Sequence, residues 1–265
     1  MGLFYNYNKE GPGISKNGPK KRTFIVFFET FFRNVWKLIP VSFMYCLLLI
    51  IPGFSAVGIT HVTRSISRDR HTFGLSDFFL AIKKNWKQAL CVGILNHIIT
   101  AFLLFDISLF RYLSLEGKFS GLIGLGISVF ILLVFITMKF YIYFIVITFD
   151  MKIKQIYLNS FKFFVLNMAN NIVMFIAIGI YWALWFFLLT FFVSNALVAG
   201  ILAVVTIFIY PTYHYLVVQY GVFPSIKKYM IDPYYDEHPE ADIDKRRNLG
   251  LEVDDDIKAD FEDII

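Results

Sequence analysis

Charged residues and cysteines are both scarce in this chain. Charged side chains make up 17% of its 265 residues, whereas a soluble globular domain carries about a quarter. The two cysteines, Cys46 and Cys91, both fall within apolar runs, which argues against a disulfide framework and against a cysteine metal site. The composition therefore does not fit a soluble or disulfide-stabilised protein.

The chain also lacks the common catalytic motifs. It contains no GxxxxGK(S/T) nucleotide loop, no HExxH, no GxSxG and no paired CxxC. We therefore expect no enzymatic activity, no cofactor and no bound metal. Nucleic-acid binding is not expected either, because it would need a soluble basic surface.

What the sequence does contain is long apolar runs. Hydrophobic residues make up 57% of the chain, and the mean hydropathy is +0.62. Four runs, at about 89–113, 122–150, 171–193 and 196–218, are long enough to cross about 30 Å of hydrocarbon as helices. These runs predict an all-α fold, that of a polytopic helical membrane protein embedded in the lipid bilayer.

A further apolar stretch is interrupted by Ile51, Pro52 and Gly53, which together form a turn signal. If the chain reverses there, helices at about 24–51 and 54–68 bring the number of crossings to six. Of the basic residues before 232, 18 then share one face. Because an excess of Lys and Arg marks the cytoplasmic side, both termini are predicted to be cytoplasmic. A re-entrant bend at Pro52 is the alternative, and we favour the full crossing.

The chain divides into three parts by composition. Residues 1–23 are polar and predict a flexible basic arm, and 24–231 form the helical membrane domain. The tail, 232–265, carries 13 acidic and four basic residues, a net charge of −9, while the preceding 231 residues carry 21 basic and seven acidic residues, a net of +14. Two amphipathic stretches, 76–88 and 152–168, predict helices lying at the membrane surface.

Small residues recur at helical spacing in two of the apolar runs. Ser120, Gly124 and Ser128 follow one another at i, i+4 and i+8, and Ala196 precedes Gly200 by four residues. Small residues at this spacing let helix backbones approach closely in lipid. The pattern predicts close helix packing at both places.

Polar residues inside membrane helices are costly and by default suggest function. The candidates for a polar cavity are His61, Asn96, His97, Asp106 and His214. The alternative is that these side chains form hydrogen bonds between helices and fix the packing. Lys139 is the least easily accommodated charge, and we consider either snorkelling to the interface or pairing with Asp106.

Several segments resemble the YesL-like family of bacterial integral membrane proteins, whose function is uncharacterised. The most specific are the Lys-Lys-Asn-Trp-Lys-Gln block at 83–88 and the stretch from His238 to Leu251. The chain departs from the family pattern after Pro52, where a second proline and an internal threonine are missing. The resemblance implies a multi-pass protein of the bacterial cell membrane associated with carbohydrate uptake.

The sequence therefore predicts a non-enzymatic accessory or scaffold protein associated with a carbohydrate importer. Its expected docking surface comprises Lys83, Lys84, Asn85, Trp86 and Lys87. The acidic tail is expected to contact importer subunits or a soluble cytoplasmic protein. The tail residues predicted to make that contact are Asp244, Arg246, Arg247, Leu249, Leu251 and Phe261. The runner-up is a small-solute transporter or channel with a polar cavity facing the cytoplasm, and a membrane enzyme using His97 and His214 comes third.

Overall fold

The computed structural model describes residues 22–192 and 195–238 of the chain. Within these two ranges the chain forms helices joined by short turns, and no strand occurs. The α-helices are α1 (Thr23–Arg33), α2 (Val35–Leu47), α3 (Phe54–Ile66), α4 (Leu75–Leu115), α5 (Phe119–Thr148), α6 (Ile153–Leu166), α7 (Met168–Phe192), α8 (Ala196–Ile226) and α9 (Asp232–Glu237). A short 3₁₀ turn (Leu48–Ile50) follows α2, and a π-helical turn (Lys227–Ile231) follows α8.

Four of the described helices, α4, α5, α7 and α8, are long and apolar enough to cross a membrane. A fifth segment, made of α1 and α2 together, meets the same criteria but is bent by 79°. The chain is therefore a polytopic α-helical membrane protein. The predicted count of six crossings is not confirmed.

The helix predicted at 24–51 is broken at Asn34. The backbone of this residue leaves the helical region, with φ of −107° and ψ of 9°. Its side-chain Nδ2 donates to the carbonyl oxygen of Thr30 at 2.9 Å, so the amide satisfies a carbonyl at the end of α1. Asparagine favours helix ends because its side chain can replace the helical backbone bonds. The segment is therefore two helices at a steep angle.

The reversal at Pro52 and Gly53 occurs as predicted, and its tip packs against the middle of α4. Gly53 has a φ of +81°, a conformation that favours glycine. Its backbone and that of Pro52 pack directly against α4 at Ala89 and Gly93. Gly93 is 22 residues before the end of α4, or about 33 Å at 1.5 Å per residue. Measured along α4, the tip of the α2–α3 hairpin therefore stops well short of the α4–α5 turn.

The predicted amphipathic helix at 76–88 is not a separate element, because α4 runs without a break from Leu75 to Leu115. At 41 residues it is about 60 Å long, twice the hydrocarbon thickness. Asp77 lies in the first turn of α4. Its carboxylate accepts hydrogen bonds from the Thr72 hydroxyl at 2.7 Å and the Phe73 amide at 2.9 Å, which holds the turn before α4.

The two long helical hairpins, α4–α5 and α7–α8, are joined by α3, which contacts α4, α5 and α8, and by α2, which contacts α8. The end of the molecule at which α4 and α6 begin and α5 and α8 end is here named the basic end. The buried hydrophobic core lies there and includes Val57, Phe78, Phe144, Ile156 and Val222. The described basic residues at this end are Arg22, Arg33, Lys37, Arg64, Arg68, Arg70, Lys83, Lys84, Lys87, Lys152, Lys154, Lys162, Lys227 and Lys228. The other end, named the opposite end, carries Arg111 and Lys118.

Candidate functional site

A polar cavity of about 280 Å³ lies between α2, α3, α5 and α8. Seven of its lining residues carry polar side chains: Tyr45, Thr60, Lys139, Tyr143, Tyr210, His214 and Tyr215. Ile136, Phe140, Pro211 and Val218 complete the lining. The cavity therefore combines one ammonium group, one imidazole and four phenol hydroxyls with apolar walls.

The cavity lies towards the basic end. Lys139 is 20 residues after the start of α5, and His214 is 18 residues after the start of α8. At 1.5 Å per residue these positions are about 30 Å and 27 Å from the opposite end. Both helices thus contribute their functional side chains at a similar depth.

Pro211 locally alters the wall formed by α8. Because proline has no backbone N–H, the carbonyl of Ile207 loses its usual helical partner. The Cys46 thiol approaches that carbonyl oxygen at 3.8 Å, a weak compensating contact from α2. One residue further along, the hydroxyl of Ser42 donates to the hydroxyl of Thr212 at 2.9 Å. These contacts fix α2 against α8 and set the position of Tyr45 in the cavity.

His214 is surrounded by aromatic rings. Its Nδ1 lies 3.4 Å from the hydroxyl oxygen of Tyr210, one turn earlier on α8. The rings of Phe140 and Tyr215 lie edge-on at centroid distances of 5.7 and 5.4 Å. The rings of Tyr45 and Tyr215 are 5.5 Å apart. This packing holds the imidazole at the cavity wall, with Tyr210 as its polar neighbour.

A hydrogen-bonded cluster supports the cavity from the side of α4. The Nδ2 of buried Asn96 donates to the Tyr143 hydroxyl at 3.0 Å, and the Tyr157 hydroxyl donates to the Asn96 Oδ1 at 2.8 Å. Burial raises the pKa of Tyr157, so its phenol keeps the proton that this bond needs. Asn96 therefore joins α4, α5 and α6, and it reaches the cavity only through Tyr143.

A second cluster joins the bases of α5, α7 and α8. The Tyr141 hydroxyl donates to Asn171 Oδ1 at 2.6 Å, and Asn167 Nδ2 approaches both the Tyr141 hydroxyl at 2.6 Å and the carbonyl of Gly221 at 3.2 Å. Asn170 in turn donates to Asn167 at 2.8 Å. Buried polar groups in lipid need such partners, so these asparagines have a packing role.

The five residues predicted to form a polar cavity do not come together. His214 lines the cavity, and Asn96 is one residue removed from it. His61 is half-buried on α3 outside the lining, and the exposed His97 contacts the Gly93 carbonyl of its own helix at 2.7 Å. Asp106 lies nine residues before the end of α4, near the opposite end, and forms no pair with Lys139.

Two arginines at the basic end tie α3 to its neighbours. Arg64 Nη1 donates to the Thr148 hydroxyl at 2.6 Å, and the Arg68 guanidinium lies 3.6 Å from the ring centroid of Phe223. Burial, with the neighbouring charges of Arg64 and Arg70, lowers the pKa of Arg68 to about 9. Arg68 still carries its charge at neutral pH, and its stacking on Phe223 is a cation–π contact.

The predicted docking surface lies on α4 at the basic end. Lys83, Lys84, Trp86 and Lys87 are exposed, whereas Asn85 is half-buried and donates to the Ala81 carbonyl at 2.9 Å. The predicted tail contacts, from Asp244 to Phe261, lie outside the described residues. So does the N-terminal arm before residue 22.

Sequence reasoning did not assign Lys139, Tyr45, Tyr143, Tyr210 or Tyr215 to a site. Each was visible as a polar side chain within an apolar run, but the sequence does not show which helices face one another. In the described ranges no three His, Cys, Asp or Glu side chains converge as metal ligands.

Comparison with known proteins identifies no relative: no family model, no curated protein and no solved structure matches the chain. The resemblance to the YesL-like family therefore stays a prediction.

Proposed function

We propose that the protein is a non-enzymatic membrane protein that binds a small polar solute in the cavity beside Lys139 and His214 and passes it across the bilayer. The observation that carries this proposal is the convergence of Lys139, His214 and four tyrosines on one space. Polar and ionisable groups inside a membrane domain are expensive and are typical of solute pathways. At about 280 Å³, the cavity is just below the roughly 300–1,000 Å³ usual for ligand pockets, which favours a small solute.

The charge distribution sets the proposed orientation. Basic side chains concentrate at the basic end, and Lys and Arg excess marks the cytoplasmic side of membrane proteins. The cavity lies about 27–30 Å from the opposite end along α5 and α8, close to the full hydrocarbon thickness. Solute would therefore enter from, or leave to, the cytoplasm. In this arrangement α4, α5, α7 and α8 cross the membrane and the α2–α3 hairpin is re-entrant.

Flux through purified protein tests the proposal. The chain is reconstituted into liposomes, and uptake is measured for radiolabelled monosaccharides and short organic acids. We expect at least one solute to enter faster than into protein-free liposomes, and His214→Phe to reduce that flux while keeping ring size. The control is His71→Phe, because His71 is exposed before α4 and is not part of the cavity lining. No protein-dependent flux for any solute, or equal loss in both variants, would contradict the proposal.

A second candidate function is the accessory role, in which the protein docks onto subunits of a carbohydrate importer. The exposed Lys83, Lys84 and Lys87, with Trp86 48% exposed beside them, favour it because such a surface suits an acidic partner. This candidate predicts that importer subunits co-purify with the protein after mild detergent extraction. Reversing the three lysine charges to Glu should abolish that capture, and Lys162→Glu on α6 should not. Capture that survives the triple reversal would argue against this surface.

A further inference from the structure

We propose that the solute is a small organic monocarboxylate and that the Lys139 ammonium is its counter-charge. This inference rests on the proposed solute-binding function and specifies the chemical class of the ligand. It follows from the charges, the hydrogen-bond donors and the apolar surfaces that face the cavity.

Among the residues that the structure describes, Lys139 is the one formally charged side chain that lines the cavity. In the described part of the chain it makes no ion pair. Asp106 on α4 is too far away to pair with Lys139. Phe110 packs on Gly124 of α5, and Asp106 is one turn closer to the basic end than Phe110. Lys139 lies roughly 15 Å further towards the basic end along α5. An ammonium group that is partly desolvated by the apolar walls of the cavity is unfavourable without a counter-charge. A bound anion would remove that cost.

The number of positive charges favours a monoanion. Arg64 is on α3, one turn after the lining residue Thr60. It is outside the lining and already donates to Thr148. A phosphate dianion would therefore have two negative charges opposite a single ammonium group. A neutral sugar would leave the ammonium uncompensated. One carboxylate matches the single charge of Lys139.

The tyrosines provide hydroxyl donors around that charge. The Tyr143 oxygen accepts from Asn96, so its own proton is available for another acceptor. Tyr210 adds a second phenol one turn from His214. Hydroxyl donors together with an ammonium group form charge-assisted hydrogen bonds to carboxylate oxygens. Ile136, Phe140 and Val218 supply apolar surface for a short hydrocarbon part.

Binding measurements on the full chain in lipid nanodiscs test this assignment. The probes are acetate, butyrate, phenylacetate and decanoate, each compared with its primary amide, which has a similar shape but no charge. We expect butyrate or phenylacetate to bind at least about ten-fold more tightly than its amide, as for a hydrogen bond to a charged group. Lys139→Met should remove that preference, and Lys139→Arg should retain it. Lys162→Met on the exposed face of α6 is the control.

The outcomes separate this inference from the proposed function. If acids and amides bind equally, and Lys139→Met changes neither, the carboxylate assignment is wrong while solute binding stands. If affinity rises steadily through decanoate, the carboxylate belongs to a bilayer fatty acid, which supports the role of Lys139 and contradicts transport of a water-soluble solute. If no acid and no amide binds, the carboxylate assignment is overturned, and the flux of monosaccharides then decides the proposed function by itself.

Discussion

Gly53 and Gly93 meet backbone to backbone where the tip of the α2–α3 hairpin packs on α4. A β-carbon on Gly93 would overlap the backbone of Pro52, and one on Gly53 would overlap the carbonyl of Ala89. This contact fixes the depth of the hairpin and, through α2 and α3, the positions of Tyr45 and Thr60 in the cavity.

Gly93→Ala should therefore destabilise the protein. The added methyl group overpacks a contact between two backbones, a change that typically costs about 1–3 kcal/mol. The matched control is Gly126→Ala on α5, where a β-carbon would have no neighbour within 4 Å and alanine is the better helix former. Thermal unfolding in detergent compares the two variants. A midpoint that falls equally in both, or in neither, would show that the hairpin does not pack on α4 in this way.

Asn96 and His97 are neighbours on α4, and we expect only Asn96 to stabilise the helix packing. Asn96→Ala leaves the hydroxyls of Tyr143 and Tyr157 without their shared partner. We expect a loss of about 0.5–2 kcal/mol in the free energy of unfolding, the range found for hydrogen bonds between membrane helices. His97→Ala should leave stability nearly unchanged, because His97 is exposed and contacts only its own helix. The reverse order of effects would contradict the account of this cluster.

The position of the hairpin tip can be measured by cysteine labelling in intact cells. In a chain with Cys46 and Cys91 replaced by serine, single cysteines are introduced at Ile50 and Lys118. Ile50 is 89% exposed beside the tip, and Lys118 is in the α4–α5 turn. An impermeant maleimide added outside should label position 118 and not position 50. Labelling of position 50 from outside would restore the six-crossing topology.

The sequence predicted much of the fold because apolar length and turn chemistry act locally. The four long crossings and the reversal at Pro52 and Gly53 all appear. Depth was harder to predict, because whether a short hairpin crosses or re-enters depends on what its tip contacts. The small residues show the same limit: Gly124 packs on Phe110, whereas Gly200, at a similar spacing, has no neighbour within 4 Å among the described residues.

The candidate site was predicted in part for a similar reason. His214 was identified from its chemistry, since a histidine in an apolar run needs an explanation. Lys139 was noticed as well but was assigned to snorkelling or to Asp106. The cavity around both residues is lined by four helices, α2, α3, α5 and α8, which are far apart in sequence. Residue type therefore indicated candidates, and only the helix arrangement showed which of them share a cavity.

Chemical access to Lys139 tests the central claim most directly, namely that a solvated cavity in the membrane domain opens towards the cytoplasm. Lys139→Cys, in the chain without Cys46 and Cys91, is exposed to sulfonatoethyl methanethiosulfonate, an anionic and impermeant thiol reagent. Gly126→Cys is the control, at a position on α5 where a β-carbon meets no described atom within 4 Å. We predict that position 139 reacts in inside-out vesicles and is protected in intact cells, while position 126 reacts in neither. No reaction at position 139 from either side, or reaction from the outside alone, would contradict the account.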